Sequence, residues 1–301
     1  MSAERFSYTP SRPRRPFLRG CLIMVLVLGG FFVLLGVVSR MDGFSFLRGE
    51  KVGVLTISGL IIDSEGTIEQ LKKFARDDSV KAIVVRLNTP GGGVGPSQEI
   101  YEEVRKIRGK KVILASMGAL AASGGYYIAC GADKIFANPG TITGSIGVLM
   151  KFLNVKDLIE KIGVKGFVVK SGSFKDTGSP IREMSPEERK LLQSVIDNVH
   201  SQFVNAVVEG RKLPREDVLA IADGRILSGE QAKELGLIDA LGNLEDAVAE
   251  AGKMAKIEGE PRVVTLPKKK FSFLDLLREE AKSIIDEKLT QTQIRLDYLA
   301  Q

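Results

Sequence analysis

Two patterns of hydrophobic residues alternate along most of this chain. Short, continuous runs of apolar and β-branched residues predict buried strands at 52–61, 82–87, 112–116, 134–137, 167–170 and 263–266. Apolar residues at helical spacing predict helices at 68–76, 97–107, 155–162, 186–209, 228–235 and 244–256. Apolar strands that alternate with helices are typical of a largely parallel sheet covered on both faces. The pattern therefore predicts an α/β fold.

The predicted helix at 186–209 has the clearest start signal. Ser185 fits the N-cap position, Pro186 fits the first helical position, and Glu188 completes a capping box. Gly210 is expected to end the helix. This helix is either part of the core or an interface between subunits, and we favour the core.

A longer apolar segment lies near the N-terminus. Residues 20–38 carry no charge and are numerous enough to cross a hydrocarbon layer of about 30 Å. The basic residues that lie close before it are Arg12, Arg14, Arg15 and Arg19. The positive-inside rule then places residues 1–19 in the cytoplasm and the chain after residue 38 across the membrane.

Two other interpretations of this segment are weaker. A cleaved signal peptide would need a small-residue cleavage site, and no A-x-A pattern follows the segment. A lipoprotein would carry a lipobox, which residues 18–21 resemble. A lipobox ends its apolar run, however, whereas Cys21 stands at the start of this one. We therefore expect an uncleaved anchor.

The charge balance and the histidine count narrow the possible functions. The chain of 301 residues has a net charge of +6, and its N-terminal basic cluster adjoins the apolar segment. This arrangement favours a membrane surface over nucleic acid as the partner. His200 is the single histidine, so a Ser-His-Asp triad or a multi-histidine metal site would depend on it. Its amphipathic surroundings indicate an ordinary position on a helix face.

Ser123 is the first candidate for chemistry. It lies in the sequence AASGGYY, after the predicted strand 112–116 and before an apolar, helix-like run. This is the strand-turn-helix setting of a nucleophile elbow. Small neighbours let a peptide approach, and a helix that begins beside Ser123 would point free N–H groups at the reacting carbonyl. A tight turn without catalytic function would give the same short pattern.

A glycine-rich loop is the second candidate. The sequence NTPGGGVG at 88–95 follows a buried strand but lacks the G-K-[ST] ending of a phosphate-binding loop. Its glycines could direct backbone N–H groups toward one point, as an oxyanion hole requires. A flexible connection between strand and helix is the alternative.

A serine nucleophile needs a base, and lysine is the next candidate after histidine. A solvated lysine is almost entirely protonated near neutral pH, and burial favours its neutral form. The base should therefore lie in small or apolar surroundings. Lys175, in the sequence SGSFKDTG, meets this condition moderately, but spacing alone does not favour it over Lys134 or Lys170.

Longer segments resemble a known family. The segments are NTPGGGV, AASGGYYIACGADKIFANPGTITGSIGV, SGSFKDTGSPIREMSPEE and DGRILSGEQAKELGLID. They resemble the signal peptide peptidase A family, also called protease IV, in its short form with a single catalytic domain. The resemblance implies a Clp protease/crotonase-like fold, here with an N-terminal transmembrane helix.

The resemblance also implies the roles of particular residues. Ser123 matches the nucleophile, Lys175 the general base, and Ser145 the serine that orients this lysine. The matching oxyanion donors are the backbone N–H groups of Gly91, Gly92 and Gly124, and which glycine of the first loop donates stays open. No metal or cofactor is implied.

The family resemblance gives an expected activity and assembly. The chain is expected to be a serine endopeptidase that degrades the apolar remnants of signal peptides, in or at the cell membrane. Its catalytic domain would be extracytoplasmic, either periplasmic or external. A dome-like homo-oligomeric ring is expected, in which a neighbouring subunit can complete each active site.

The expected organisation has five parts. They are a basic N-terminus at 1–19, a transmembrane helix at 20–38, a linker at 39–50, a Ser-Lys peptidase domain at 51–266 and a basic, amphipathic tail at 267–301. The tail does not align with the family. It would lie on a membrane or on a partner chain, or be loosely ordered, and regulation and self-processing are both open.

Three alternatives to this function stay open at this stage. A crotonase-like acyl-CoA enzyme would use similar glycine-rich loops, but an extracytoplasmic domain would not meet acyl-CoA. A non-catalytic membrane scaffold would tolerate loss of the Ser123 hydroxyl. A related peptidase could act on another membrane protein.

Overall fold

The computed structural model describes residues 24, 26–31, 49–266 and 297–299. The chain divides into two compact units, Met1–Gly49 and Glu50–Gln301. In the first unit, residues 24 and 26–31 are helical. No helix within the described residues is long and apolar enough to span a membrane, and most of the predicted segment at 20–38 lies outside them.

The second unit is built from strands and helices that alternate along the chain. The strands are β1 (Lys51–Ser58), β2 (Val80–Thr89), β3 (Gly91–Gly93), β4 (Val112–Ala121), β5 (Lys134–Ala137), β6 (Ile142–Gly144), β7 (Ile226–Ser228), β8 (Ala240–Leu241), β9 (Arg262–Thr265) and β10 (Asp297–Leu299). The helices are α1 (Glu65–Arg76), α2 (Val94–Ile107), α3 (Gly124–Ala129), α4 (Lys156–Lys161), α5 (Pro186–Arg211), α6 (Arg215–Leu219), α7 (Gly229–Glu234) and α8 (Leu244–Met254).

The main sheet has the order β7-β6-β4-β2-β1-β9, and β5 and β8 extend it from the first half of β4. Its pairs are parallel except for the antiparallel pair of β6 and β7. This arrangement confirms the predicted α/β fold with a largely parallel sheet. The carboxyl ends of β2 and β4 lie side by side, because Leu87 pairs with Met117 and Thr89 with Ala121.

Both faces of the sheet are buried, as the continuous apolar strands predict. On β2, Ile83 and Val85 join a cluster that includes residues of α1 and α2, whereas Val84 joins a second cluster with Ala247 and Ala251 of α8. Successive side chains of a strand point to opposite faces, so a strand covered on both sides must be apolar at every position.

The helix α5 begins as predicted but ends later. Ser185 and Glu188 form the capping box, and the helix runs past Gly210 to Arg211. A Cβ at Gly210 would lie 2.3 Å from the carbonyl oxygen of Cys130. The glycine therefore permits a close approach of two backbones, and Lys212, with a φ of 55°, provides the left-handed C-cap.

Three other sequence predictions differ from the structure. Residues 167–170 are irregular instead of a strand, with Phe167 89% exposed, and no strand among the described residues pairs with them. The predicted loop at 88–95 contains the short strand β3. Residues 267–296 of the predicted tail lie outside the described residues, and residues 297–299 form β10, antiparallel to β3.

Candidate active site

Ser123 lies in a sharp turn between the end of β4 and the start of α3. Its φ of 53° is in the left-handed region, which residues other than glycine rarely adopt. The residue is fully buried, at 0% exposure. Strain of this kind persists only where the surroundings impose it, and it often accompanies a functional role. The turn has the geometry of the predicted nucleophile elbow.

Backbone hydrogen bonds hold this turn against the neighbouring strands. The Ser123 N–H donates to the carbonyl oxygen of Gly144 at 2.9 Å, and the Ala122 N–H donates to that of Thr89 at 3.2 Å. Gly125 packs closely on the same threonine, since a Cβ added there would lie 2.7 Å from Thr89 Cγ2. The ends of β2 and β6 therefore fix the position of Ser123.

The Ser123 hydroxyl has no hydrogen-bond partner within the described part of the chain. His200 lies in α5, as predicted for a helix residue, and its Nε2 likewise has no partner among the described residues. A Ser-His pair is thus not formed. A buried hydroxyl without a partner is costly in a folded protein, so this one calls for an explanation.

The glycine-rich strand β3 lies beside α3. The N–H of Gly91, whose φ is 104°, donates to Thr89 Oγ1 at 3.1 Å, and the N–H of Gly93 donates to the carbonyl oxygen of Ile61 at 2.8 Å. Successive N–H groups of a strand point to opposite sides. The N–H of Gly92 therefore faces away from Ile61.

The open side of β3 accepts an extended segment of backbone. Residues 297–299 pair with it in antiparallel register, with Tyr298 opposite Gly92. The same segment comes within 8 Å of α3, measured between Cα atoms. This edge can thus hydrogen-bond an extended peptide next to the Ser123 turn.

Ser145 lies directly after β6 and next to the backbone that holds Ser123. It is buried, at 5% exposure, and has a φ of 50°. Its N–H donates to the carbonyl oxygen of Arg225 at 2.8 Å, while the preceding residue, Gly144, accepts from Ser123. The structure therefore brings together Ser123, Ser145, Gly124 and β3.

Lys175 makes no side-chain hydrogen bond to this group within the described residues. It is exposed and lies in a turn between α4 and α5. Within the described residues its ammonium group makes no hydrogen bond or ion pair, and Ser123 Oγ has no partner, so the two groups are not bonded to each other in the single chain.

The two rival lysines are both in ion pairs. Lys134 pairs with Glu250, and Lys170 pairs with Asp176. An ammonium group that is bound to a carboxylate is engaged with that partner and is not free to approach a serine hydroxyl. The lysine without such a partner, Lys175, is thus the better candidate of the three.

Sequence reasoning missed two residues that organise this region. Thr89 connects the glycine-rich strand to the Ser123 turn, because its hydroxyl donates to the carbonyl oxygen of Gly59 and accepts from Gly91 while its carbonyl accepts from Ala122. Arg182 binds the carboxylates of Asp176 and Glu188. The position of Thr89 directly before the glycines was a usable signal, whereas nothing in the sequence near Arg182 indicates its two partners.

Comparison with known proteins identifies the family. The family model described as Peptidase family S49 matches residues 105–258. The chain belongs to peptidase family S49. A second model, described as Clp protease, matches residues 60–142. The S49 range contains Ser123, Ser145 and Lys175, and the Clp range contains Ser123.

Three relatives show the extent of this likeness. A putative protease of Synechocystis sp. is 43% identical over 69% of this chain and 76% of its own length. A putative signal peptide peptidase SppA of Enterococcus faecium is 40% identical over 69% of this chain and 64% of its own length. Protease 4 of Salmonella typhi is 37% identical over 70% of this chain but only 35% of its own length.

Membership of family S49 confirms the resemblance found in the sequence and the predicted enzyme class, a serine peptidase. The mixed α/β architecture agrees with the match to Clp protease. The chain spans only part of the length of each of these three relatives.

Proposed function

We propose that this chain is a membrane-anchored serine endopeptidase that degrades cleaved signal peptides with a Ser123–Lys175 dyad. The observation that carries the proposal is the Ser123 turn. A strained, buried serine, whose hydroxyl has no partner among the described residues, lies beside a glycine strand that pairs with extended backbone.

The mechanism follows from these groups. Neutral Lys175 takes the Ser123 proton while Oγ attacks the carbonyl carbon of the scissile bond. Collapse of the tetrahedral intermediate breaks the C–N bond, and the lysine returns its proton to the leaving amine. Water then hydrolyses the acyl-enzyme, with Lys175 again accepting a proton and Ser123 recovering its own. Ser145 orients the lysine.

The oxyanion of the intermediate would be held by backbone N–H groups of β3 and Gly124. Of the two β3 candidates, we favour Gly92. The Gly91 N–H is already donated to Thr89 Oγ1, whereas the Gly92 N–H faces the side on which residues 297–299 pair. Preorganised donors of this kind are effective because they need no reorientation during the reaction.

A neighbouring subunit supplies the lysine in this proposal. The segment around Lys175 is exposed in the single chain although it is rich in apolar residues. The large exposed apolar residues there are Leu153, Leu158, Ile162, Val164, Phe167, Val168, Val169 and Phe174. Exposed apolar residues in this number favour contact with another surface, and we infer that this surface is a neighbouring subunit. A head-to-tail contact that closes gives a ring, in agreement with the expected dome-like homo-oligomer.

The substrate class rests on the relatives and on β3. One relative is named a signal peptide peptidase, and β3 pairs with an extended backbone through main-chain groups, which read no side chain. Apolar remnants of signal peptides are short, and their location agrees with an anchor at 20–38. Residues 1–19 would then be cytoplasmic, 39–50 a linker and 51–266 the extracytoplasmic peptidase domain.

Fractionation of an expressing cell tests both function and anchor. We expect carbonate-washed membranes to retain the cleavage of a fluorogenic apolar peptide, and a chain that begins at Lys51 to carry this activity into the soluble fraction. Activity of the full chain in the carbonate wash would refute the anchor. A folded protein that cleaves no apolar peptide in either fraction would refute the proposed function.

The glycine at position 92 gives a second test. A Cβ there would lie 2.1 Å from the carbonyl oxygen of Ile61 and 2.6 Å from its nitrogen, so Gly92→Ala must displace β3. A displacement of about 1 Å in a catalytic group costs about 100-fold in rate. We expect at least about this loss in kcat/KM for peptide cleavage, measured on variants that melt cooperatively.

Gly95→Ala is the matched control for that variant. A Cβ at Gly95 meets nothing within 4 Å, and the residue lies at the start of α2. We expect activity within about twofold of the wild type, because alanine favours helix and adds no clash. A folded Gly92→Ala variant with full activity would exclude Gly92 as an oxyanion donor.

A further inference from the structure

The turn that carries Lys175 is tied to the start of helix α5. Arg182 Nε donates to the Asp176 carboxylate at 2.8 Å, and its Nη2 donates to the Asp176 main-chain oxygen at 3.0 Å. The same guanidinium donates to both oxygens of Glu188, with Nη1 at 2.8 Å from Oε2. The residue that follows Lys175 is thus bound through both its backbone and its side chain.

The residue that precedes Lys175 is held as well. The Thr177 hydroxyl lies 2.8 Å from the main-chain oxygen of Phe174 and 3.3 Å from Glu188 Oε1, so its one proton is shared between them. The Lys175 N–H donates to the carbonyl oxygen of Gly172 at 3.2 Å. Both neighbours of the lysine therefore connect to Glu188.

Glu188 anchors these contacts to helix α5. Its side chain is almost fully buried, with 4% exposure, and it accepts from the Ser185 N–H at 2.9 Å as part of the capping box of α5. Hydrogen bonds from Arg182 and Ser185 lower the pKa of Glu188 to about 2. The carboxylate is therefore charged at neutral pH. It belongs to the first turn of the long helix α5, so it ties the turn that carries Lys175 to that helix.

The same contacts engage the carboxylate of Asp176, the residue that follows Lys175 in the sequence. The Asp176 carboxylate is bound by Arg182 and by Lys170, which hold its pKa well below the ordinary value. Lys175, adjacent to it, has no ion pair within the described residues. If Arg182 were absent, this anion would lose a partner and be free to bind the ammonium group of Lys175, which would hold the lysine in its own turn instead of presenting it to a serine.

We propose that Arg182 and Glu188 are positioning residues for the catalytic lysine: they fix the turn that presents Lys175 and keep the Asp176 carboxylate away from its ammonium group. This inference rests on the proposed function, since it assumes that Lys175 is the base. Neither residue touches the reacting atoms. The other charged groups around the turn that take part in these contacts are Lys170 and Asp176.

The test compares Arg182→Gln with Arg189→Gln, measured as kcat and KM for a fluorogenic apolar peptide. Arg189 is an exposed arginine of the same helix start and makes no ion pair within the described residues. We expect Arg182→Gln to lower kcat by about 10- to 100-fold with KM within about threefold, because a displaced base slows proton transfer without weakening peptide binding. Arg189→Gln should match the wild type.

Two further variants separate positioning from stability. Glu188→Gln removes the charge that binds Arg182 but keeps an oxygen for the capping box, so it should preserve the helix and still lower kcat. Asp176→Asn combined with Arg182→Gln should recover at least about threefold of the lost kcat, because the released anion is gone. If Arg182→Gln does not fold, Glu188→Gln and its melting temperature decide the question.

The result that overturns this proposal differs from the one that overturns the function. If Lys175→Ala is inactive while folded Arg182→Gln and Glu188→Gln keep kcat within about twofold, the positioning role is wrong and the dyad stands. The proposal is also overturned if Arg182→Gln loses as much kcat with Asp176→Asn as without it and both proteins melt at an equally lowered temperature. A loss of stability would then explain the loss of activity. If Lys175→Ala keeps near-normal activity, the dyad itself is wrong.

Discussion

Replacement of Ser123 by alanine is expected to lower the kcat for peptide cleavage by about 10⁶-fold, the order of magnitude for a serine peptidase that loses its nucleophile. The reason is the position of the hydroxyl. Its Oγ is held by a strained turn with no competing hydrogen bond among the described residues. The variant should fold, because the substitution removes a buried polar atom without a partner.

Lys175→Ala should lower kcat by about 10²- to 10⁴-fold, the usual contribution of a general base. The double variant, which combines Ser123→Ala with Lys175→Ala, should be no less active than Ser123→Ala alone, since the effects of residues that act as a unit are not additive. These rates are best measured with the membrane form in detergent, across pH 6 to 10.

Exposed residues of α5 provide matched controls for both substitutions. Ser194→Ala and Lys190→Ala change the same residue types on the outside of the helix and should keep the wild-type rate within about twofold. Near-normal activity of Lys175→Ala would remove that residue from the dyad. An active Ser123→Ala variant would refute the nucleophile, and the scaffold interpretation of the Ser123 turn would gain support.

Mixing two inactive variants is expected to restore activity. In the single chain, Ser123 is buried and Lys175 is exposed, and the two are not hydrogen-bonded. If each site takes its serine from one subunit and its lysine from the next, oligomers of Ser123→Ala and Lys175→Ala chains contain intact sites. Random assembly of equal amounts gives about one quarter of the wild-type activity. A site is intact only if one subunit supplies an unchanged Ser123 and its neighbour an unchanged Lys175, and each condition is met in about half of the cases.

Co-expression with two different affinity tags would measure this rescue. Oligomers that carry both tags should cleave the peptide at least about 25-fold faster than Lys175→Ala alone, because one quarter of the wild-type rate is compared with a loss of at least about 100-fold. The gain over Ser123→Ala alone should be larger still. The same geometry predicts that the double variant, mixed with an equal amount of wild type, should lower the activity per wild-type chain by about half.

A dyad within one chain would behave differently in both mixtures. The two single variants would stay inactive together, and the double variant would leave the wild-type chain unaffected. Co-purified, inactive mixed oligomers would therefore contradict the proposal that a neighbour supplies Lys175, while leaving the roles of Ser123 and Lys175 untouched.

Some features could be predicted from the sequence because their causes are local. The capping box of α5 needs only Ser185 and Glu188, three residues apart, and it formed as predicted. The apolar runs of β1, β2 and β4 required burial on both faces and so predicted a covered, parallel sheet. The small residues around Ser123 predicted the sharp turn between β4 and α3.

Other features were decided only by tertiary structure, because they depend on residues distant in sequence. Gly210 stops no helix but lets α5 approach the carbonyl of Cys130. Thr89 Oγ1 accepts from the N–H of Gly91, whereas the N–H of Gly92 faces the side of β3 on which residues 297–299 pair. Arg182 finds Asp176 and Glu188 together only when the turn folds onto α5. The sequence determined which residue types could carry a serine peptidase, and packing determined which of their polar groups are occupied and which stay open.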